Sequence, residues 1–120
     1  MNREQLKEHI LTTYLSEYDE PWAKWPDNGV FRHPGNKKWF ALVTRIDGSK
    51  IGLDTDKPVD IVNLKGDPLL INALVEQPGY HRAWRMNKEH WITVELSAVD
   101  DDQLLALIEM SFDATVPRRP

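Results

Sequence analysis

Four stretches of this 120-residue chain interleave aromatic rings with cations: Trp22-Ala23-Lys24-Trp25, Phe31-Arg32-His33, Lys37-Lys38-Trp39 and Tyr80-His81-Arg82-Ala83-Trp84-Arg85. Nucleic-acid binders need cations for phosphates, and flat rings or guanidinium planes serve where bases are exposed. The residue types meet that demand. The competing reading is that tryptophans fill a core while the bases form a solvated rim, because aromatic rings dominate buried area. Trp39, inside an apolar run, favours the core, and Trp22 and Trp25 favour clamping a proline-bounded connector. Trp84, between Arg82 and Arg85, is balanced between core and contact. Asn87, ahead of Lys88-Glu89-His90, has a local use as the cap of a helical turn.

Other chemistries find less support. The six glycines, at positions 29, 35, 48, 52, 66 and 79, form no G-x-G or G-x-x-x-x-G-K loop, which argues against a nucleotide loop. The four serines lack a G-x-S-x-G setting, and no cysteine is present, so covalent nucleophiles, disulfides and zinc knuckles have no basis. His9, His33, His81 and His90 show neither H-x-H nor H-x-x-x-H spacing, so no metal site is expected. Asp100-Asp101-Asp102 fits a helix start, where the backbone dipole stabilises acids without a cation. No cofactor is expected, and an enzyme ranks below a binding module.

Hydrophobic residues at 41% and charged residues at 28% fit a globular chain with a single core. No apolar run approaches the length of a bilayer span, and Met1-Asn2-Arg3-Glu4 opens no targeting pattern, so a cytoplasmic location away from membranes is expected. The formal net charge is −4, but residues 22–91 carry a balance of +3 and the flanks −7. A basic middle in an acidic whole is compatible with one positive face.

The elements that must position these residues follow from periodicity. Leu6, Ile10, Leu11, Tyr14, Leu15 and Tyr18 recur at helical spacing behind an Asn2 cap. Pro21 to Pro26 is expected to run extended. Val30–His33 and Lys38–Ile46 predict a hairpin around Pro34-Gly35-Asn36, with Trp39, Ala41 and Val43 opposite Phe40, Leu42 and Ile46. A turn at Asp47-Gly48-Ser49 precedes strands expected around Ile51–Leu53 and over Val59–Leu64. Asp67-Pro68 opens a helix that stops at Pro78-Gly79, Trp91–Leu96 alternates as a strand, and Asp100 caps a last helix carrying Leu104, Leu105, Leu107, Ile108 and Phe112. The order predicts one α+β domain over residues 1–116, an antiparallel sheet flanked by N-terminal, middle and C-terminal helices, with a frayed tail at 117–120.

Pro21-Trp22-Ala23-Lys24-Trp25-Pro26, Val30-Phe31-Arg32-His33, Asn36-Lys37-Lys38-Trp39-Phe40-Ala41-Leu42-Val43, Asn63-Leu64-Lys65 and Met86-Asn87-Lys88-Glu89-His90-Trp91-Ile92-Thr93-Val94 resemble, in this order, the MmcQ/YjbR family of small bacterial proteins. The resemblance implies a frataxin-like (CyaY-like) fold, similar also to a phage double-wing domain, and with it a DNA-binding role. The positions matching the family's basic and polar pattern are Lys24, Arg32, His33, Asn36, Lys37, Lys38, Lys65, Asn87, Lys88 and His90. Arg82-Ala83-Trp84-Arg85 is a departure, since it separates Tyr80-His81 from Met86-Asn87. Iron handling by analogy with frataxin finds no dense acidic ridge, because the first helix mixes Lys7 with Glu4 and Glu8.

Two readings result. In the first, a monomeric DNA-binding module contacts phosphates through Lys37, Lys38, Lys65, Arg82, Arg85 and Lys88, and bases or sugars through Arg32, Trp84 and Asn87, with Lys24, His33 and His90 in the same face. In the second, Tyr80 to Trp91 walls a cleft with Arg32 and His33 for a small anionic ligand or a protein partner. A concave apolar pocket would favour the second, a convex basic surface the first.

Overall fold

In a computed structural model, which describes residues 1–117, six strands form one antiparallel sheet with helices on one face. Helix α1 (Arg3–Thr13) leads to β1 (Glu17–Asp19), β2 (Gly29–Arg32) and β3 (Trp39–Asp47). Then come β4 (Pro58–Lys65), α2 (Pro68–Leu74), β5 (Tyr80–Arg82), β6 (Trp91–Glu95) and α3 (Asp101–Thr115). The spatial order β1-β2-β3-β4-β6-β5 places β6 between β4 and β5, so α2 carries the chain out to the far edge. The α+β class and the three helices match the expectation. The expected fraying of the tail concerns Pro117 and, at 118–120, positions outside the described residues.

Each helix starts where its cap stands. Asn2 Oδ1 accepts from the Gln5 backbone N–H at 2.8 Å while the Asn2 N–H donates to Gln5 Oε1 at 2.9 Å, a reciprocal capping box. Asp67 accepts from the Leu70 N–H at 3.0 Å, and Asp100 from the Gln103 N–H at 3.1 Å. Leu6 and Ile10 of α1, Ile71 and Leu74 of α2, and Leu104, Leu107 and Ile108 of α3 pack with Val43, Val62, Leu64, Ile92 and Val94 in one core. The Phe112 ring stacks on Tyr14 at 4.6 Å and meets Phe40 edge-on at 5.1 Å, contacts worth about 0.5–1.5 kcal/mol each beyond their buried area. Ser111 ties α3 to the sheet: its hydroxyl donates to the Phe40 carbonyl and accepts from the Lys65 N–H at 2.9 Å.

The structure departs from the periodicity in several places. The first helix ends at Thr13; Tyr18, spaced as a helical residue, lies in β1, paired with Phe31, its ring 4.9 Å from the Phe31 ring. Tertiary pairing at the sheet edge overrides a pattern that leaves Leu11 and Leu15 exposed. Pro21–Pro26 is not extended. Trp25 N–H donates to the Trp22 carbonyl and Asn28 N–H to the Trp25 carbonyl, each at 3.0 Å, and Pro26 supplies the fixed φ that the second turn requires. The expected strand at Ile51–Leu53 is instead a 3-10 turn over Gly48–Ile51, nucleated when Asp47 Oδ1 accepts from the Ser49 N–H and closed by Gly52 at φ 84°. Tyr80–Arg82, read only as a basic aromatic stretch, is the edge strand β5.

A bulge decides where Trp39 faces. The register shifts between Phe31 and Arg32, so Arg32 pairs with Trp39 but Phe31 with Ala41. The extra residue puts Phe40, Ala41 and Val43 together in the helix-side core, and sends Trp39 to the opposite face with Leu42 and Thr44. The expected grouping of Trp39 with Ala41 and Val43 is therefore corrected by one residue of slippage.

Candidate ligand-binding clefts on the outer face of the sheet

The face turned away from the helices is walled by two irregular segments, the turns of residues 20–28 and the β5–β6 loop of residues 83–90. The loop is fastened by polar groups in the middle of the sheet. Trp84 N–H donates to the Thr93 hydroxyl at 2.8 Å, the Thr93 hydroxyl donates to the Asn63 carboxamide oxygen, and Asn63 Nδ2 donates to the Trp84 carbonyl at 3.2 Å. Asn63 and Thr93 are fully buried, so this triangle satisfies groups that would otherwise be orphaned beneath the loop.

Two cavities flank the fastened loop, one on this outer face and one at the β5 edge that reaches round to the end of α2. One, of about 450 Å³, is lined by Trp22, Trp25, Trp39 and Trp84 with Leu42, Met86, Asn28, Thr44, Arg45 and Arg85. Four of the chain's five tryptophans thus meet at one hollow. Trp22 and Trp39 form its corner, edge to face with centroids 5.7 Å apart. On its floor Asn28 Oδ1 accepts from the Thr44 hydroxyl. The other cavity, about 530 Å³, is lined by Lys50, His81, Arg82, Arg85 and Lys88 together with Ile51, Val75, Glu76, Tyr80, Ala83 and Trp84. Both volumes fall within the roughly 300–1,000 Å³ of small-molecule sites.

Trp84 and Arg85 belong to both cavities. The Arg85 guanidinium lies over the Trp84 ring, 4.7 Å from its centroid. Arg85 has φ 58°, and with Lys37 it is one of two non-glycine residues held at positive φ among the described residues. An arginine has no intrinsic preference for that conformation, which costs about 1–2 kcal/mol. Beside it, His81 Nε2 and Glu95 Oε2 are 2.6 Å apart with side chains only 19% and 12% exposed, so the carboxylate fixes the orientation of the imidazole at the cleft wall.

The sequence-selected residues fall into separate groups. Arg82, Trp84, Arg85 and Lys88 line the basic cleft; Arg82 Nη1 also donates to Asn72 Oδ1 at 2.8 Å, and Lys88 Nζ to the Ala83 carbonyl at 2.7 Å. Asn87 caps the turn that returns the loop to β6, its Oδ1 accepting from the Glu89 N–H at 2.8 Å, while His90 is exposed. Lys24 sits at the tip of the Trp22–Trp25 turn, exposed. Strand register carries Arg32, Lys38, Lys65, Arg82 and His90 to one end of the sheet, since Arg32 pairs with Trp39, Lys65 with Trp91 and Arg82 with Ile92. There Arg32 is held by Asp19 at 3.1 Å and Lys37 by Glu17 at 2.9 Å, and Asp67 and Glu89 stand among the cations.

His33 does not join either cleft. It is 3% exposed on the helix side, with Nε2 2.8 Å from the Thr115 hydroxyl and 3.1 Å from the Phe112 carbonyl. Burial pulls its pKa below the usual 6.5, and the Phe112 carbonyl partly opposes that shift. Of the residues anticipated for a cleft, the 80–91 segment supplies walls while Arg32 and His33 do not; walls that the sequence did not single out are Lys50, Ile51, Val75 and Glu76 in the basic cleft and Asn28 and Arg45 in the tryptophan-lined cavity. A signal for the site lay in Asn63 and Thr93, polar residues at the centres of otherwise apolar strands. No three His, Asp or Glu side chains converge on a common point that could hold a metal ion, and no helix is long and apolar enough to cross a membrane, among the described residues.

Comparison with known proteins places the chain. It is 38% identical over 120 residues to the protein named "Uncharacterized protein YyaQ" from Bacillus subtilis strain 168, covering 96% of this chain and 98% of that one. A Pseudomonas syringae protein solved by crystallography superposes with a TM-score of 0.94 at 44% identity, over 97% of this chain and all of the other. A solution NMR structure of a protein from the same organism gives 0.89 at 43%, over 100% of this chain and 97% of that one. A Deinococcus radiodurans domain of family DUF419 shares the fold, with a TM-score of 0.68 at 23% identity over 91% of this chain and 74% of that one. The YjbR family model matches residues 11–114, and the chain belongs to the YjbR family.

Proposed function

We propose that this YjbR protein is a monomeric cytoplasmic binding domain that holds an anionic ligand in the cleft between β5, the β5–β6 loop and the Gly48–Ile51 turn. One observation carries the reading: Lys50, His81, Arg82, Arg85 and Lys88 line one concave space of about 530 Å³ in which, among the described residues, Glu76 is the single acidic wall. Cations gathered around a recess attract an anion more strongly than the same charges dispersed over a convex surface, because the recess limits screening by water.

The test is a titration with inorganic pyrophosphate at low ionic strength, followed by 1H–15N correlation spectra. Shifts centred on the backbone of Lys50, Arg82, Arg85 and Lys88 are the expected result, with affinity reduced about tenfold in Lys50→Ala/Arg82→Ala. An unperturbed spectrum at millimolar pyrophosphate would overturn the reading.

A DNA-binding role has one specific observation in its favour, the gathering of Lys38, Lys65, Arg82 and His90 at one end of the sheet. Phosphate contacts by about six cations give a log–log salt slope near −5. Duplex binding with that slope, lost in Lys38→Glu/Lys65→Glu and retained in Lys50→Ala, would replace the small-ligand reading with this one.

A further inference from the structure

We infer that the tryptophan-lined cavity and the basic cleft form one composite site for an anion that carries a flat ring, with the ring among the indoles and the anionic group on Arg85 and its cationic neighbours. The inference rests on the anion-binding reading above and adds the class of ligand. The two hollows share Trp84 and Arg85 as a common wall, so a ligand that bridges them crosses the Trp84–Arg85 pair.

Three features select the ligand. Trp22 and Trp39 meet edge to face at 5.7 Å and so offer a ring face and a ring edge to the cavity they line, surfaces against which a planar group packs. A cage of tryptophans also suits a quaternary ammonium ion, but here the cavity is lined by Arg85 and by Arg45, which is ion-paired with Asp60 at 2.9 Å, and no carboxylate lines it among the described residues, which disfavours a cation. Asn28 has its carboxamide oxygen committed to the Thr44 hydroxyl, so the amide presents NH₂ donors. A heteroaromatic ring with an acceptor atom at its edge satisfies a donor that a plain hydrocarbon ring would leave unpaired.

The experiment compares ring-bearing anions with their parts. Adenosine 5′-monophosphate, uridine 5′-monophosphate and naphthalene-1-sulfonate are titrated beside adenosine and inorganic phosphate, with tryptophan fluorescence and indole N–H shifts as readouts. At least one ring-bearing anion is expected to bind about tenfold or more tightly than phosphate, because stacking on aromatic rings adds to the ionic contact. The shifts should fall on the indoles of Trp25, Trp39 and Trp84. Trp25→Ala, at an exposed ring whose loss leaves the core intact, should bring that anion's affinity down to that of phosphate. Lys50→Ala should weaken the anions and leave adenosine unchanged. If phosphate binds and all three ring-bearing anions bind no tighter, or if Trp25→Ala has no effect, the composite site is wrong while the anion cleft stands. If no anion binds at all, both readings fall.

Discussion

The backbone N–H of Trp84 donates to the hydroxyl of Thr93, 2.8 Å away, and through that bond a loop that the sheet does not contain is held flat against it. The Thr93 hydroxyl donates in turn to Asn63 Oδ1, and Asn63 Nδ2 donates to the Trp84 carbonyl, so the loop is fixed at both its donor and its acceptor. Removing a partner leaves buried groups unpaired at a cost of about 1–3 kcal/mol. Thr93→Val should lower stability by that amount in urea denaturation, and it should release the loop. Hydrogen exchange at the Trp84 amide is expected to speed up more than exchange in β3 and β4; uniform acceleration would mean that the bond serves global stability alone.

Ser111 offers a second test of polar fastening, on the helix side. Its hydroxyl joins the Phe40 carbonyl to the Lys65 N–H across the junction of β3, β4 and α3. Ser111→Ala deletes the hydroxyl and orphans two backbone groups, so a loss of about 2–4 kcal/mol is expected, larger than for removing one ordinary hydrogen bond. A thermal midpoint within a degree of the parent would refute this role.

His33 sets an acid limit on stability. Its folded pKa lies below the unfolded 6.5, so as the pH drops through 6.5 the unfolded chain takes up a proton before the folded one does. The stabilisation is fully present above pH 6.5 and declines as the pH falls toward the folded value. Urea midpoints at pH 7.5 and 5.5 should differ, the lower pH being less stable, and the difference should shrink in His33→Gln. An NMR titration placing the His33 ring midpoint above 6.5 would reverse the sign.

The tryptophans divide by role, and truncation should reveal it. Trp25 is 57% exposed, so Trp25→Ala should change stability by no more than about 1 kcal/mol. Phe40, fully buried against Phe31, His33 and Phe112, should cost about 3–5 kcal/mol as Phe40→Ala. Equal losses in the two variants would show that Trp25 is a structural member after all.

Local chemistry wrote much of this fold directly. The caps at Asn2, Asp67 and Asp100, the strands at 29–32, 39–47, 58–65 and 91–95, and the last two helices rest on near-neighbour periodicity and side-chain-to-backbone bonds, which short stretches of chain express alone. Family membership was legible for a related reason: the ordered motifs from Pro21 to Val94 preserve those local solutions. Tertiary structure alone decided that Tyr18 joins a sheet, that a one-residue bulge turns Trp39 away from Val43, and that His33 is buried. It also decided that Lys50 and Arg82 line one cleft and that Trp22, Trp39 and Trp84 share a hollow. Those outcomes depend on which distant strands pair and in what register, and a register differing by one residue would have sent the same rings to the other face.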